Sequence, residues 1–280
     1  MINQEIDAIV EAALQEDMPE GDITSESMIP AESCSRADLI AKEDGILAGI
    51  DVAERVFLKV DPSIVMTKAA ADGSRLTRGM IMAEVSGSSI SMLKAERTAL
   101  NFLQRMSGIA TYTNRFVKAL EGTSTKVLDT RKTTPNLRIL EKYAVKQGGG
   151  TNHRFSLSDM VLIKDNHLEI VGSIKRAVQA ARAKTEPHIK VEVETKNLQE
   201  VMEAVESGAD IIMLDNMTPK AVKEAVRFVA GRIPLEVSGN IELEKVAELA
   251  VLGVDYISVG GLTHSFKSLD ISMLFRKEEA

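Results

Sequence analysis

The 280-residue sequence predicts an α/β protein in which a mixed N-terminal part precedes a closed or nearly closed barrel of parallel strands. From residue 126 onward, short apolar runs alternate with amphipathic segments, and such alternation is typical of a parallel sheet with helices outside it. The last four runs begin near residues 189, 210, 233 and 255, about 22 residues apart, which suits one strand and one helix with short loops. The segments between them each end on a glycine, as helix C-termini commonly do.

The N-terminal part has a different pattern. It predicts a helix over about 3 to 16, the loop "EDMPEGDIT" and short β-type runs such as "RADLIAKEDGILAG", separated by Gly and Asp. The stretch "MLKAERTALNFLQRMSGIATYTNRFVKALEG" has apolar residues at helical spacing and a break at Ser107-Gly108, which predicts two helices and a hinge. The expected domains are an N-terminal domain over 1–108, a barrel domain over 109–265, and residues 266–280 packed back on the first domain.

The composition restricts the class of protein. The formal net charge is −7 and the pI is near 5.3, whereas nucleic-acid and membrane-surface proteins usually carry a basic footprint. The start, "MINQEIDAIVEAALQED", lacks the basic region and apolar core of a signal peptide, and no run approaches about 18 apolar residues. A lone Cys34 cannot form an internal disulfide, which fits a reducing compartment. We therefore expect a soluble, cytoplasmic protein with no nucleic-acid or membrane partner.

The predicted barrel strands end in polar or glycine residues, directly after their apolar runs. Barrels carry their chemistry at the carboxyl ends of the strands, so these residues are candidates for a shared site. Strand ends are often polar because they leave the core, but that alone does not explain an order of cations first, carboxylates next and glycines last. In chain order the ends are Asp129-Thr130-Arg131-Lys132, Lys164-Asp165-Asn166-His167, Glu194, Asp215-Asn216, Ser238-Gly239-Asn240 and Gly260-Gly261.

The cations that come first suggest an anionic ligand. Arginine recognises carboxylates and phosphates in a bidentate manner, and lysine supplies a compact charge. Arg138, Lys142 and Lys146 recur at helical spacing in "NLRILEKYAVKQ", so we assign them to a solvated helix face. The remaining candidates, which stand at strand ends or in adjacent loops, are Arg131, His153, Arg154 and Lys164.

The carboxylates Glu194 and Asp215 follow successive predicted strands and could bind one divalent cation. A hard ion such as Mg²⁺ takes one or two carboxylates and leaves its other positions to water and substrate phosphates. Without a ligand, these two acids could instead pair with Lys132 or Lys164. The sequence has no Cys/His cluster, so we do not expect a zinc site.

The glycines that come last predict a phosphate cradle. "SGNIELEKVAEL" and "GGLTHS" place Gly and small hydroxyl residues before a helix or turn, where free backbone N–H groups can hold a terminal phosphate. Barrels commonly bind phosphate at their last strands. "QGGGTNH" could be a second cradle or a flexible connection. These features together indicate a phosphorylated sugar held beside an acidic substrate, and the cradle candidates are Ser238, Gly239, Gly260 and Gly261.

The motifs resemble one family along nearly the whole chain. "ERTALNFLQRMSGIAT", "DTRKTTPNLRILEKYAVKQGGGTNHR", "LIKDNH", "VEVET", "IMLDN", "LEVSGNI" and "GVDYISVGGLTHS" resemble quinolinate phosphoribosyltransferases, also called carboxylating nicotinate-nucleotide pyrophosphorylases. The resemblance implies an N-terminal α/β sandwich and an incomplete α/β barrel, in a homodimer with shared active sites that could assemble further. It also implies that quinolinate and phosphoribosyl pyrophosphate give nicotinate mononucleotide, pyrophosphate and CO₂, with Mg²⁺, in de novo NAD biosynthesis.

The resemblance also implies a role for each candidate residue. Two departures from the family pattern, Thr195-Lys196 and the second Thr of "TTPNL", remove none of these ligands. The catalytic residues it implies are Lys132, Glu194 and Asp215. The implied ligands are Arg131, His153, Arg154 and Lys164 for quinolinate, Arg97 donated by the other subunit, Lys132 for the ribose-pyrophosphate or carboxylate charge, Glu194 and Asp215 for ribose and metal, and Ser238, Gly239, Gly260 and Gly261 for the 5′-phosphate.

Three other functions fit parts of the pattern. A related phosphoribosyltransferase of molybdate-transport operons shares the Arg-Lys and His-Arg motifs and would act on another acidic substrate, but "LIKDNH" argues against it. A barrel aldolase could use Lys164 as a Schiff base, although Glu194 and Asp215 nearby would keep that lysine protonated. A non-enzymatic phosphate-binding scaffold would bind phosphoribosyl pyrophosphate without turnover.

Overall fold

The computed structural model describes residues 4–276. The described chain forms two compact units. Residues 1–3 and 277–280 lie outside the described residues. The predicted helix start at residue 3 and the predicted packing of 277–280 therefore also lie outside them. The first unit is the chain up to Asn114, Thr133–Gly149 and the chain from Thr263, and the second unit is Arg115–Lys132 and Gly150–Leu262.

Helices and short strands make up most of the chain, and none of the helices within residues 4–276 is long and apolar enough to cross a membrane. In chain order the elements are α1 (Gln4–Asp17), α2 (Ile23–Met28), β1 (Cys34–Ala41), β2 (Gly45–Ile46), α3 (Ile50–Val60), β3 (Val65–Lys68), β4 (Arg75–Leu76), β5 (Ile81–Ser88), α4 (Ser89–Ala119), β6 (Lys126–Leu128), α5 (Arg138–Gln147), β7 (Val161–Ile163), α6 (Asp165–Val171), α7 (Ile174–Lys184), β8 (Val191–Thr195), α8 (Leu198–Glu206), β9 (Ile211–Asp215), α9 (Pro219–Val229), β10 (Leu235–Ser238), α10 (Leu243–Ala250), β11 (Tyr256–Ser258), α11 (Gly261–His264) and β12 (Ile271–Phe275).

The first unit is built on a four-stranded sheet in the order β12-β1-β5-β3, and all three pairings are antiparallel. The helix α1 buries Ile6, Val10 and Leu14, which recur every four residues on one helical face. An ion pair between Arg55 Nε and Asp7 Oδ1, 2.6 Å apart, joins α3 to α1. Because β1 lies between β12 and β5, a strand from the far end of the chain completes the sheet that β1 begins.

The helix α4 is continuous over 31 residues, so the prediction of two helices with a hinge at Ser107-Gly108 is wrong. Gly108 is needed for packing, because a Cβ atom there would lie 2.4 Å from the carbonyl oxygen of Lys267. The Ser107 hydroxyl accepts a hydrogen bond from the Ala48 N–H at 3.0 Å. Both residues of the apparent break therefore let other backbone segments approach one face of an uninterrupted helix.

Residues 133–149, which include α5, belong to the first unit, although the sequence had placed them in the barrel domain. The physical reason is close packing on α4. A Cβ atom at Gly148 would lie 2.3 Å from the carbonyl oxygen of Ala110, and Asn114 donates to the Gly148 carbonyl at 3.2 Å. The first glycine of "QGGG" thus permits helix contact, and Gly149, at φ +89°, turns the chain after α5.

The prediction of a solvated face on α5 holds for Lys146, which is exposed, but it is wrong for Lys142. Lys142 is only 2 % exposed. Spacing along a helix shows which residues share a face, but it does not show whether a second element covers that face.

The second unit contains six parallel strands in the order β6-β11-β10-β9-β8-β7. Among the residues that the structure describes, no strand pairing joins the two end strands, β6 and β7, so the barrel is incomplete. Capping residues begin its helices, since Ser173, Asn197 and Thr218 each accept a backbone N–H of the following turn. The predicted α/β class, an N-terminal α/β domain before an incomplete α/β barrel, is confirmed, and the structure shows that the N-terminal sheet is antiparallel.

Candidate active site

The parallel register of the second unit brings the carboxyl ends of its strands to one edge of the sheet. Ser238 pairs with Asp215, and Thr195 pairs with Leu214, so the ends of β8, β9 and β10 are neighbours. Arg97 belongs to α4 in the first unit and is exposed. The predicted residues within the last two positions of second-unit strands are Glu194, Asp215 and Ser238; those after such strands are Arg131, Lys132, Lys164, Gly239, Gly260 and Gly261, with His153 and Arg154 after the Leu128–Thr151 bridge.

The segment carrying His153 and Arg154 is fixed by Asp129, which follows β6 and is fully buried. One carboxylate oxygen of Asp129 accepts the His153 N–H at 2.9 Å, and the other accepts from the Asn152 side chain at 2.5 Å. Arg154 also donates from Nη1 to the carbonyl oxygen of Met160 at 3.0 Å. These bonds fix the backbone from which two candidate ligands project.

Arg131 and Arg154 lie close enough for their charges to act on each other. Burial, followed by the charge of Arg131, lowers the pKa of the Arg154 guanidinium, so the two cations repel each other at short range. The Nε atom of Arg131 is buried and has no acceptor among residues 4–276. Two half-buried arginines in this condition are typical of a site that binds an anion.

Lys164 and Glu194 form an ion pair at the ends of β7 and β8, with Nζ and Oε2 2.5 Å apart. Glu194 is 8 % exposed, so the pair is shielded on its acidic side. A second ion pair, between Lys196 Nζ and Asp165 Oδ2 at 2.9 Å, joins the same two strand ends. Here the acid follows β7 and the lysine follows β8. The sequence had left open that Glu194, without a ligand, pairs with a lysine. In this structure it pairs with Lys164.

Gly239, at the end of β10, cannot be replaced by a larger residue, both because of its backbone conformation and because a neighbouring side chain lies too close. Gly239 has φ +101°, and a Cβ atom there would lie 2.2 Å from Oδ1 of Asn216 at the end of β9. Asn216 and Asn240 also have positive φ, at 51° and 45°. Tight turns of this kind leave backbone N–H groups available at the edge of the sheet, as a phosphate cradle needs.

The structure also reveals a buried cluster that the sequence analysis missed: His153, Glu192 and Glu236. Glu192 and Glu236 are fully buried within β8 and β10. Nε2 of His153 lies 2.9 Å from Glu192 Oε2 and 3.5 Å from Glu236 Oε2. The available signal was an acid at an inward-facing position of an apolar strand, since Glu192 and Glu194 alternate with valines in "VEVET".

Hydrogen bonds and charges both act on this cluster. Nδ1 of His153 accepts the Arg154 N–H at 2.8 Å. Burial, reinforced by the charge of Glu192, raises the pKa of Glu236 to about 8. One ligand atom from each residue lies within 4.8 Å of the others, so the three could also hold a metal ion.

The fold and the strand-end residues define an α/β barrel protein with cations, carboxylates and glycines at the carboxyl edge of its parallel sheet. Two family models match the chain: the quinolinate phosphoribosyl transferase N-terminal domain over residues 22–107 and the C-terminal domain over residues 109–274. The chain belongs to the quinolinate phosphoribosyltransferase family. The resemblance inferred from the motifs is therefore confirmed, together with the enzyme class, a phosphoribosyltransferase.

Relatives and solved structures agree with this membership. The "Probable nicotinate-nucleotide pyrophosphorylase [carboxylating]" of Bacillus subtilis (strain 168) is 44% identical, over 92% of this chain and 89% of that protein. "Quinolinate phosphoribosyltransferase [decarboxylating] 1b" of Nicotiana tabacum is 42% identical, over 99% and 84% of the two chains. The crystal structure of NadC from Streptococcus pyogenes has a TM-score of 0.95 at 44% identity and covers 99% of both chains.

Proposed function

We propose that this chain transfers the phosphoribosyl group of phosphoribosyl pyrophosphate to quinolinate, with release of pyrophosphate and CO₂ to give nicotinate mononucleotide. The observation that carries this proposal is the pair of neighbouring guanidinium groups, Arg131 and Arg154, with the buried Nε of Arg131 lacking an acceptor among residues 4–276, in a member of this family. Quinolinate has two carboxylates, and bidentate arginines recognise such groups well. The same chemistry, with family membership, favours quinolinate over the substrate of a molybdate-operon transferase.

Lys164 is the third proposed quinolinate cation. In this structure its ammonium group is neutralised by Glu194. A substrate carboxylate that bound Lys164 would replace Glu194 as its partner and leave the Glu194 carboxylate free for the ribose or for a metal. Binding of the acidic substrate would in this way prepare the site for the phosphorylated one.

Glu194 and Asp215 are the proposed metal ligands. Both offer carboxylate oxygens, which suit a hard cation, and both lie at the carboxyl ends of neighbouring strands. Bound Mg²⁺ would supply charge neutralisation of the departing pyrophosphate. Lys132, which follows β6, would contribute a further positive charge toward the same group.

The phosphate cradle is proposed at the ends of the last two strands. Gly239 has a backbone conformation that would be strained in any residue with a Cβ atom. Ser238, which precedes it, offers a hydroxyl group. Gly260 and Gly261 follow β11, the neighbour of β10. Together these backbone N–H groups would hold the 5′-phosphate and so fix the ribose.

The proposed reaction needs mainly positioning and charge stabilisation. The arginines would hold quinolinate with its ring nitrogen facing the anomeric carbon, and a bond forms there as the bond to pyrophosphate breaks. A carboxylate beside the ribose, such as Glu194, would stabilise the oxocarbenium-like transition state. The alkylated nitrogen is then cationic and stabilises the carbanion left on the adjacent ring carbon when its carboxylate departs as CO₂, and that carbon takes a proton from solvent. No side chain has to act as a strong general base.

We also propose a cytoplasmic homodimer in which Arg97 reaches the partner's site. Arg97 is exposed on α4, and its role as a donated cation rests on the family resemblance. Mixing Arg97→Ala with Lys164→Ala subunits tests it, because one site of each heterodimer would then retain both residues. If subunit exchange is demonstrated and no activity returns, the shared site must be abandoned.

The proposed activity is tested by measuring nicotinate mononucleotide formed from quinolinate, with nicotinate as the control substrate. Arg154→Ala should weaken quinolinate binding by about 2 kcal/mol, because a charge-assisted contact is lost, and should leave phosphoribosyl pyrophosphate binding unchanged. Lys146→Ala, which removes an exposed cation of α5, is the matched control. Equal weakening of both substrates would contradict the proposed division of the site.

Glu194→Gln and Asp215→Asn should lower turnover and change its dependence on Mg²⁺ concentration, because each removes a charged oxygen ligand. Glu224→Gln, which changes an exposed acid on α9, is the matched control for loss of one negative charge. If both site variants kept the metal dependence of the unmodified enzyme, these residues could not be its metal ligands.

A further inference from the structure

A short segment of the chain runs beside the end of β6, and the two are joined through both backbone and side chain. The Thr151 N–H donates to the carbonyl oxygen of Val127 at 2.9 Å, and the Asp129 N–H donates to the carbonyl oxygen of Thr151 at 3.1 Å. The buried Asp129 carboxylate then accepts the His153 N–H and a side-chain N–H of Asn152. The two segments are therefore bonded at successive residues up to the point where they enter the site.

Both proposed quinolinate arginines follow this pairing within two residues. Arg131 is two residues after Asp129, and Arg154 directly follows His153. The two guanidinium charges act on each other, and their repulsion tends to separate the segments that carry them. A bonded link between the segments opposes that separation and keeps two cations close enough to bind one small dianion.

We propose that Asp129 is a positioning residue, which links the segment carrying Arg131 to the segment carrying Arg154 and so sets the spacing of the two guanidinium groups. The arginines and His153 remain the proposed substrate ligands, and Asp129 acts through them. Both of its carboxylate oxygens are already bonded within the second unit, one to the backbone of His153 and one to the side chain of Asn152. The inference rests on the proposed function for the identity of the substrate.

The sign of the effect separates positioning from a simple effect of charge. Quinolinate is a dianion, so losing the negative charge of Asp129 would strengthen its binding if that carboxylate acted through its field alone. Asp129→Asn keeps the size of the side chain but replaces an acceptor oxygen by an NH₂ group, which faces the donating amide of Asn152. We expect the KM for quinolinate to rise about tenfold and the KM for phosphoribosyl pyrophosphate to change less than about twofold. An unchanged or lower KM for quinolinate would overturn the proposal.

Exchanging the two bonded side chains provides a rescue. Asn152→Asp places a second carboxylate against that of Asp129, so it should raise the KM for quinolinate at least as much as Asp129→Asn does. The double variant restores one donor and one acceptor in exchanged positions and keeps the net charge. We expect its KM for quinolinate to return to within about threefold of the unmodified protein. A double variant no better than the single variants would contradict the proposed link.

Asp210 offers a matched control, because it makes the same kinds of bond at the opposite edge of the same sheet. Its Oδ2 accepts the Val191 N–H at 2.6 Å and a guanidinium N–H of Arg182 at 2.6 Å. It directly precedes β9, at the amino ends of the strands. Asp210→Asn should lower the resistance of the protein to denaturant and leave both KM values unchanged. If it raised the KM for quinolinate as much as Asp129→Asn, general loosening of the unit would explain both effects.

Backbone amide exchange tests the link without any substrate. A carboxylate is a stronger hydrogen-bond acceptor than a neutral amide, so Asp129→Asn should speed hydrogen exchange at the His153 N–H about tenfold. The measurement is mass spectrometry of the peptide containing His153, made on the full-length protein. Equal exchange rates in the two proteins would show that Asp129 does not hold this segment.

Asn152→Ala provides a milder variant in case Asp129→Asn is too unstable to assay. It removes only the side-chain bond and leaves the Asp129 carboxylate bonded to the His153 N–H. We expect the KM for quinolinate to rise about threefold, again with little change for phosphoribosyl pyrophosphate. Equal changes in both KM values would count against a role specific to the arginines.

The two hypotheses can fail separately. If the protein formed no nicotinate mononucleotide from quinolinate, the proposed function would be wrong, yet amide exchange on the protein alone would still report the link. If turnover of the unmodified protein were normal but Asp129→Asn left the KM for quinolinate unchanged, only the positioning role would be wrong.

Discussion

Each unit of the chain buries glutamate in its interior, but the two units treat that charge differently. In the first unit, Glu141 is fully buried, accepts from Arg105 and also accepts the Thr134 N–H at 3.2 Å. In the second unit, the imidazole of His153 lies 2.9 Å from Glu192 and 3.5 Å from Glu236, and no lysine or arginine of the described residues is bonded to either acid. The buried carboxylate of the first unit therefore has a bonded arginine, whereas those of the second unit have only a histidine beside them among the described residues.

This difference separates a structural acid from acids held at a site. A buried charge with a bonded counter-ion can be tolerated for packing alone, whereas uncompensated buried acids lower stability and persist where the chemistry requires them. The same unit that carries these acids also carries Arg131 and Arg154, whose like charges act on each other. The comparison therefore points to the second unit as the functional one without reference to any substrate.

Removing the counter-ion of Glu141 should have the largest effect on stability. Arg105→Ala leaves a fully buried carboxylate without its cation and also removes the contact of Arg105 with the Phe266 ring, 5.0 Å from its centroid. We expect the free energy of unfolding to fall by about 3 kcal/mol in chemical denaturation. Lys146→Ala in the same unit is the control, and a loss below about 1 kcal/mol would remove the distinction between the two units.

Glu236→Gln should have an effect of opposite sign that depends on pH. Unfolded glutamate has a pKa of about 4.3, and the folded value is raised to about 8. The folded state of the unmodified protein therefore holds a proton that the unfolded state releases, and its stability relative to the variant falls as pH rises between these values. We expect the two proteins to be equal in stability near pH 4, and the variant to gain up to about 1.4 kcal/mol for each pH unit between about 4.3 and 8.

The measurement is a denaturation series from pH 4 to pH 8.5 on both proteins. Three charged or titratable groups act on Glu236, namely Glu192, His153 and Lys164, and all three stay unchanged in the variant. A stability difference that was constant across the series would show that Glu236 does not hold a proton in the folded state.

The exposed pair between Lys196 and Asp165 should matter least. Both side chains are about half exposed, and exposed ion pairs contribute little because solvent screens them. Lys196→Ala should change the free energy of unfolding by less than about 0.5 kcal/mol, and added salt should abolish the difference. A change comparable with that of Arg105→Ala would show that exposure does not govern the cost of losing a counter-ion here.

The sequence predicted the features that depend on periodicity. Apolar runs about 22 residues apart indicated the parallel strands of the second unit, and the polar residues after them indicated a common edge. It could not predict features set by contacts between distant segments. Gly108 looked like a helix break but accommodates the backbone of Lys267, and Lys142 looked solvated but is covered.

The buried acids illustrate the same limit at the site. Glu192 and Glu194 are two residues apart on β8. Nothing in the local sequence distinguishes Glu194, near the carboxyl end of the strand, from Glu192 in its interior. Only the strand order, which places β8 and β10 on either side of β9, brings Glu192 and Glu236 to one imidazole ring. A cluster of this kind, formed by residues far apart in the sequence, is therefore found from the coordinates and not from the sequence.

The pairing of β12 with β1 has a consequence for synthesis. Arg276 and Asp38, which bond across these strands, are 238 positions apart, and all of the second unit is translated between them. Until β12 leaves the ribosome, β1 is an edge strand with unpaired backbone groups that could pair with another chain. The nascent protein thus passes through a stage in which its first sheet is made but unfinished, and expression yield should depend on how rapidly translation carries the chain through that stage.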